Sequence, residues 1–380
     1  MGHSASQSHP PVEAAGCRLG DDELVEGDAY LLRGNRLKPN GRLAAWIEGE
    51  TCDQGTERRH AAFSRRRVGV ARDRRRLSAM MSDESRAHPR RFVQVSGQTL
   101  AFTEMGEGSD VVLLHGTLTC LEDMAVGLGP DLSGAHRVLS FDRPGHARST
   151  RPPGDGSLRT QADLLVEAFA ELGLRRPIPV GHSAGGSLAL TIAIHHPDAI
   201  GGVVALAPLV FFEPRAELFL FGPRGVPVFG PLAAKSWLRP TDALTLPLLW
   251  NAIFLPQAMP KPFATAMPFA RLASSDEMIA TGEDALALAV DLPANAVRYA
   301  GCTVSIRILA GSADIVVSNR RQGARLPSLM PDCTYEEISG IGHMIHHFAP
   351  ERVRELVERL GRGTPGERGA DRQGAVGAAG

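Results

Sequence analysis

The stretch that decides the fold is RPIPVGHSAGG, Arg176 to Gly186. PIPV (Pro177 to Val180) reads as a short strand, and Gly181-His182-Ser183-Ala184-Gly185 fits G-x-S-x-G. SLALTIAI (Ser187 to Ile194) continues as a helix that Pro197 stops. Strand, sharp turn and helix in that order lift a serine hydroxyl above a sheet edge. Glycines on both sides let the backbone turn without Cβ clashes. Ser183 is the candidate nucleophile.

Working outward, DVVLLHG (Asp110 to Gly116) is a continuous apolar run, as expected of a strand buried on both faces. RFVQV (Arg91 to Val95) and TLAFTEMG (Thr99 to Gly106) alternate apolar and polar residues around SGQ and read as an antiparallel hairpin. HRVLSFDRPGHARS (His136 to Ser149) is a strand with a Gly/Pro-rich loop, and Thr160 to Leu172 carries apolar residues at helical spacing. GGVVALAPLV (Gly201 to Val210), TVSIRILAGSAD (Thr303 to Asp314) and CTYEEISGIGHM (Cys333 to Met344) supply further strands. A closing helix over Pro350 to Leu360 sets Val353, Leu356, Val357 and Leu360 on one face. Strands alternating with helices predict an α/β fold: a mostly parallel central sheet with helices on both faces and right-handed crossovers.

The expected organisation has five parts: a disordered Arg-rich extension over 1–90, a first core part over 91–210, an inserted helical cap over 211–299, a second core part over 300–362, and a disordered tail over 363–380. The cap is expected because 211–299 lacks a buried-strand signal and is rich in Leu, Pro, Phe, Ala and Met. Arg58 to Arg76 is dense in arginine, and mutual repulsion there favours disorder. It is either an extension without a role or a basic arm for nucleic acid or an acidic partner. Met80 or Met81 is an alternative natural start.

Composition narrows the function classes. Of 380 residues, 43% are hydrophobic and 22% charged, and the net charge of −1 exerts no pull toward nucleic acid. Aromatics at 5% are too few for a base-stacking platform. The five cysteines are odd in number and form no C-x-x-C pair, which disfavours a disulfide framework or a metal cluster. No apolar run is long enough to span a bilayer, and no secretory apolar region opens the chain. The expected location is cytoplasmic, with a small-molecule substrate, no nucleic-acid partner and no membrane span.

A serine hydroxyl needs a base. His343, in Gly340-Ile341-Gly342-His343-Met344, follows the last strand in a glycine-rich loop and is assigned that role, while the nearby His346 and His347 are expected to be surface histidines. The imidazole in turn needs a carboxylate to set its tautomer. Asp314 ends a strand and is preferred to Asp332, which reads as a surface turn. The oxyanion requires waiting N–H groups. They are assigned to Ala184 and to Thr117, in His115-Gly116-Thr117-Leu118, with His115 holding that loop.

His115-Gly116 after a strand, Asp142-Arg143-Pro144-Gly145-His146 in a loop, the Ser183 pentapeptide, and Asp314 with His343 together resemble the α/β-hydrolase superfamily. The likeness is to its capped, serine-nucleophile members of esterase and haloperoxidase type, and covers about Phe92 to Leu360. The resemblance implies no metal and no organic cofactor. Serine at 183 argues against the family's dehalogenases and epoxide hydrolases, whose nucleophile is aspartate. One departure is Ala147, where the family commonly has glycine. The expected activity is hydrolysis of a small to medium apolar carboxylic ester through an acyl-enzyme, the apolar cap segment Leu218 to Met267 covering the site. The alternatives are the same triad on a C–C, amide or peracid substrate, and a non-catalytic accessory protein.

Overall fold

The computed structural model describes residues 89–362, except residues 215 and 237. The expectations for the Arg-rich segment, the alternative start and the tail therefore lie outside the described residues.

Eight strands form one sheet: β1 (Arg91–Val95), β2 (Gln98–Met105), β3 (Ser109–Leu114), β4 (His136–Phe141), β5 (Ile178–His182), β6 (Val203–Leu206), β7 (Ile306–Gly311) and β8 (Cys333–Ile338). Their spatial order is β1-β2-β4-β3-β5-β6-β7-β8. The hairpin β1–β2 and the β2–β4 pair are antiparallel. From β4 through β3 to β8 every neighbour is parallel. β3 and β4 exchange places in the order, and this sets the chain rising from β3 beside the end of β5, where the serine turn begins.

Strand alternation divides the core into two layers. Val112 and Leu114 of β3 join Leu139 and Phe141 of β4 on one face. There they meet Leu165 and Phe169 of α2 (Leu158–Glu171) and Leu188 and Ile192 of α3 (Ala184–His195). Val111 and Leu113 point the other way, toward Met124 and Leu128 of α1 (Leu121–Leu132) and Val353 and Val357 of α10 (Pro350–Gly361). Helix α2 starts two residues before the sequence expectation because Ser157 caps it, its side chain accepting from the Thr160 N–H at 3.1 Å.

Six helices lie between β6 and β7: α4 (Ala216–Gly225), α5 (Phe229–Lys235), α6 (Arg239–Phe254), α7 (Lys261–Ala266), α8 (Phe269–Leu272) and α9 (Ser275–Ala296). They enclose a separate apolar cluster built on Phe221, Leu246, Trp250, Phe254, Phe263 and Met278. The same cluster takes in Leu118 from the β3–α1 loop and Met344 beside His343. These helices therefore share a core with the loops that flank Ser183, which restrains both.

The turn at Ser183 is where backbone packing is tightest. Ser183 has φ +52°, a conformation that side chains rarely adopt. A Cβ on Gly181 would stand 2.1 Å from the Gly185 carbonyl oxygen, and one on Gly185 would stand 2.2 Å from the carbonyl oxygen of Leu114. Both neighbours are backbone, one in the first turn of α3 and one at the end of β3, and cannot yield. Gly185→Ala is expected to destabilise the protein by about 3 kcal/mol or more through forced separation of α3 from β3. Urea denaturation monitored by circular dichroism measures this, and an unchanged midpoint would contradict the packing argument.

Candidate active site

Ser183 sits in the turn between β5 and α3 and is 7% exposed. Its amide donates to Leu206 O at 2.8 Å, which ties the turn to β6. Ala184 is the first residue of α3, where an amide has no acceptor within its helix. Across the turn, no hydrogen bond among the described residues engages the Thr117 amide, and Thr117 and Ser183 line one pocket.

The Thr117 loop is shaped by its neighbours. The Arg143 amide donates to His115 Nε2 at 2.9 Å, so Nδ1 carries the proton and donates to Gly116 O at 2.8 Å. Burial first, and then the Arg143 cation, hold His115 well below the ordinary histidine range, which keeps it neutral. Trp250 Nε1 donates to Leu118 O at 3.0 Å and fixes the far end of the loop, where Leu118 adopts φ +64°.

His343 and Asp314 meet. His343 Nδ1 lies 2.8 Å from Asp314 Oδ2. Asp314 Oδ1 accepts from the amides of Val316 and Val317 at 2.8 and 2.9 Å. Burial pushes this carboxyl up, but the His343 charge and these hydrogen bonds outweigh it and leave the group below its ordinary value. The imidazole is nearly buried, at 3% exposed. No hydrogen bond among the described residues joins Ser183 Oγ to His343 Nε2, and such bonds often close only around a reacting substrate. Asp332 is elsewhere, paired with Arg307 at 2.8 Å in the turn entering β8.

His346 and His347 overturn the surface expectation. Their Nε2 atoms lie 3.0 and 2.8 Å from the same oxygen of Asp123, and His346 is fully buried. Sequence spacing places them near the closing helix, but the intervening 3-10 turn, Ile345–His347, folds their rings inward against α1. The buried His182 ring packs 4.6 Å from both the His343 and His346 rings, and its Nε2 donates to His343 O at 3.1 Å. Burial pushes His182 well below the ordinary histidine range and His346 below it. Burial alone would raise the Asp123 carboxyl, but its two imidazole neighbours keep it well below the usual range. Asp123, His346 and His347 are close enough to share a metal ion, as are Cys120, Glu122 and Asp142. Hydrogen bonding already accounts for the first trio, and Arg90 pairs with both carboxylates of the second.

A charge cluster that sequence reasoning missed joins α9 to the loop after β4. Asp284 Oδ2 accepts from Arg143 and His146, both at 2.8 Å, and Oδ1 from Arg151 at 2.5 Å and Gln161 at 3.2 Å. Glu277 accepts from His146 Nδ1 and from the Ala147 amide, each at 2.7 Å. Ala147 carries φ +45°, so the departure from the family's glycine costs strain of roughly 1 to 2 kcal/mol. The Glu277 bond to its amide helps offset that. Nothing in the sequence pairs the acids of α9 with this loop, because the spacing across the contacts exceeds 120 residues.

The pocket against Ser183 has a volume of about 40 Å³. At roughly 10–15 Å³ for each water-sized occupant, it accepts a short chain. Leu209, Phe212, Leu218, Ala285, Leu288 and Leu292 line it, together with Thr117, Glu213, Thr281 and Asp284. Of the apolar stretch expected to cover the site, Leu218 to Met267, only Leu218 among the described residues reaches this wall; Phe221, Leu246, Trp250, Phe254 and Phe263 pack a cluster of their own, and Phe219, Phe229, Leu244 and Leu248 are exposed.

The α/β hydrolase fold family matches residues 111–350. An uncharacterized protein of Mycobacterium tuberculosis is 26% identical over 294 residues, 71% of this chain and 80% of that protein. The haloalkane dehalogenase DbeA of Bradyrhizobium elkani superposes with a TM-score of 0.58 at 18% identity, over 73% of this chain and 100% of that one. An E-2-(acetamidomethylene)succinate hydrolase superposes at 0.55 with 23% identity, over 72% of this chain and 98% of that one. Among the described residues no helix is long and apolar enough to cross a membrane.

Asp284 is depressed well below the ordinary carboxylate value despite its burial, because Arg151, His146 and Arg143 surround it. A depressed carboxylate adds stability above its unfolded value near 3.8 and loses it as the pH falls toward the folded one. Asp284→Asn is expected to cost about 3 to 5 kcal/mol at pH 7 by leaving two guanidinium groups under-compensated. In urea titrations, the gap between this variant and the parent should narrow below about pH 4. A gap that stays constant down to pH 3 would contradict the assignment.

Proposed function

Because the chain belongs to the α/β hydrolase fold family and is a hydrolase, we propose that it cleaves a carboxylic ester, with Ser183, His343 and Asp314 as its catalytic triad. The observation that carries the proposal is the 2.8 Å contact between His343 Nδ1 and a doubly hydrogen-bonded Asp314, on the loop facing the Ser183 turn.

The chemistry runs in two halves. Ser183 Oγ attacks the ester carbonyl carbon as its proton passes to His343 Nε2. Asp314, already ionised, holds the Nδ1 proton and stabilises the imidazolium. The carbonyl oxygen becomes an oxyanion, received by the amides of Thr117 and Ala184. Such donors are each worth about 10²–10³ in turnover, because they are in place before charge develops. Collapse expels the alcohol, which takes the proton from His343. Water then repeats the sequence on the acyl-enzyme, releasing the acid and restoring Ser183.

Two features support serine-ester chemistry over other uses of this fold. The nucleophile position holds serine, whereas the family's dehalogenases and epoxide hydrolases use aspartate. The pocket wall is mainly aliphatic and contains no Lys, Arg or His, while Glu213 and Asp284 belong to it. An uncharged short-chain ester suits that lining better than an anionic one.

Ser183→Ala should lower p-nitrophenyl butyrate hydrolysis by about 10⁴-fold or more without changing the thermal midpoint beyond a few degrees. A fluorophosphonate probe should label the parent and not the variant. Undiminished turnover by a folded Ser183→Ala protein would sink the proposal.

A further inference from the structure

Thr281 stands in the wall of the Ser183 pocket, on α9, and is 1% exposed. Its Oγ1 has no hydrogen-bond partner. A threonine inside a helix commonly relieves its hydroxyl by donating to the carbonyl one turn back; this one makes no such bond. A buried hydroxyl without a partner is costly and calls for an explanation.

The rest of the pocket does not supply one. Thr117 belongs to the oxyanion loop. Asp284, one turn along the same helix, already receives four hydrogen bonds, two on each oxygen. Glu213 leans toward Arg321, 3.9 Å away. The other lining side chains named above are apolar apart from Ser183 itself. Thr281 is therefore a buried polar group without a partner in a wall that is mainly apolar and that includes Ser183.

We propose that Thr281 is a specificity-determining residue whose hydroxyl hydrogen-bonds an oxygen of the bound substrate, so that the preferred substrates are short esters bearing a hydroxyl or oxo group in place of plain alkyl esters. The proposal rests on the ester-hydrolase reading and refines its substrate class. A hydroxyl on the substrate would donate to or accept from Oγ1; an oxo group would accept. Thr117 and Ala184 remain free for the reacting carbonyl, so recognition and chemistry use separate groups.

The test compares the parent with Thr281→Val, which keeps the shape and removes the hydroxyl. Two matched pairs of esters distinguish the acyl from the alcohol side: p-nitrophenyl 3-hydroxybutyrate against p-nitrophenyl butyrate, and 3-hydroxybutyl acetate against butyl acetate. The parent should favour the hydroxylated member of at least one pair by about tenfold to a hundredfold in kcat/KM, and Thr281→Val should erase that ratio. Equal ratios in parent and variant for both pairs would overturn the proposal. A second measurement does not depend on turnover. In the absence of ligand, Thr281→Val should raise the thermal midpoint by about 2 °C, since it removes an unmet buried polar atom. A lowered midpoint would mean that the hydroxyl serves the fold, and would also overturn the proposal. If neither protein cleaves any of the four esters, the ester reading fails. The midpoint shift, together with melting of Ser183→Ala protein with and without 3-hydroxybutyl acetate, then decides the role of Thr281 separately.

Discussion

The close approach of α3 to the ends of β3 and β5 is the constraint on which the rest of this structure depends. Ser183 can hold φ +52° only because backbone stands where side chains would otherwise be, at Gly181 and Gly185. The strain is local, and the layers on both faces of the sheet hold it in place. Those layers are continuous hydrophobic packing, with Leu113 and Leu114 of β3 contributing to opposite sides. The turn thus converts non-directional burial energy into one directed hydroxyl.

The helices of the insertion are bound to this turn in two chemically different ways. Apolar contact runs from Trp250 and Phe254 to Leu118 and Met344, loops on either side of Ser183. Polar contact runs from Glu277 and Asp284 to Arg143, His146 and Arg151. Buried charges of this kind add little net stability, since desolvation consumes much of the attraction. Their effect is geometric: a misplaced α9 would leave several charges unpaired, so one placement is strongly preferred. That placement also brings Thr281 into the pocket wall.

Behind His343 lies a second polar layer. His182 donates to the His343 carbonyl, and its ring separates the ring of His343 from that of His346. Asp123 then gathers His346 and His347 onto α1, the helix that follows the Thr117 loop. The His343 loop and the Thr117 loop are therefore braced by one buried carboxylate, although they lie far apart in sequence.

Much of the sheet was legible from the residues: continuous apolar runs for the buried strands, alternation in the first hairpin, and the G-x-S-x-G turn between PIPV and SLALTIAI. The meeting of Asp314 with His343 was also readable, because strand ends and glycine-rich loops limit where such residues can point. The burial of His346 and His347 was not, since surface and buried histidines look alike without knowledge of the aspartate 223 positions away that receives them. The same holds for Asp284 and Thr281, which in the sequence are ordinary residues of an amphipathic helix. Local pattern determined which segments become strands and where the strained serine falls, because period and turn chemistry act over a few residues. Only the closed tertiary structure decided which buried polar groups found partners, because those pairings depend on how distant segments come to rest against one another.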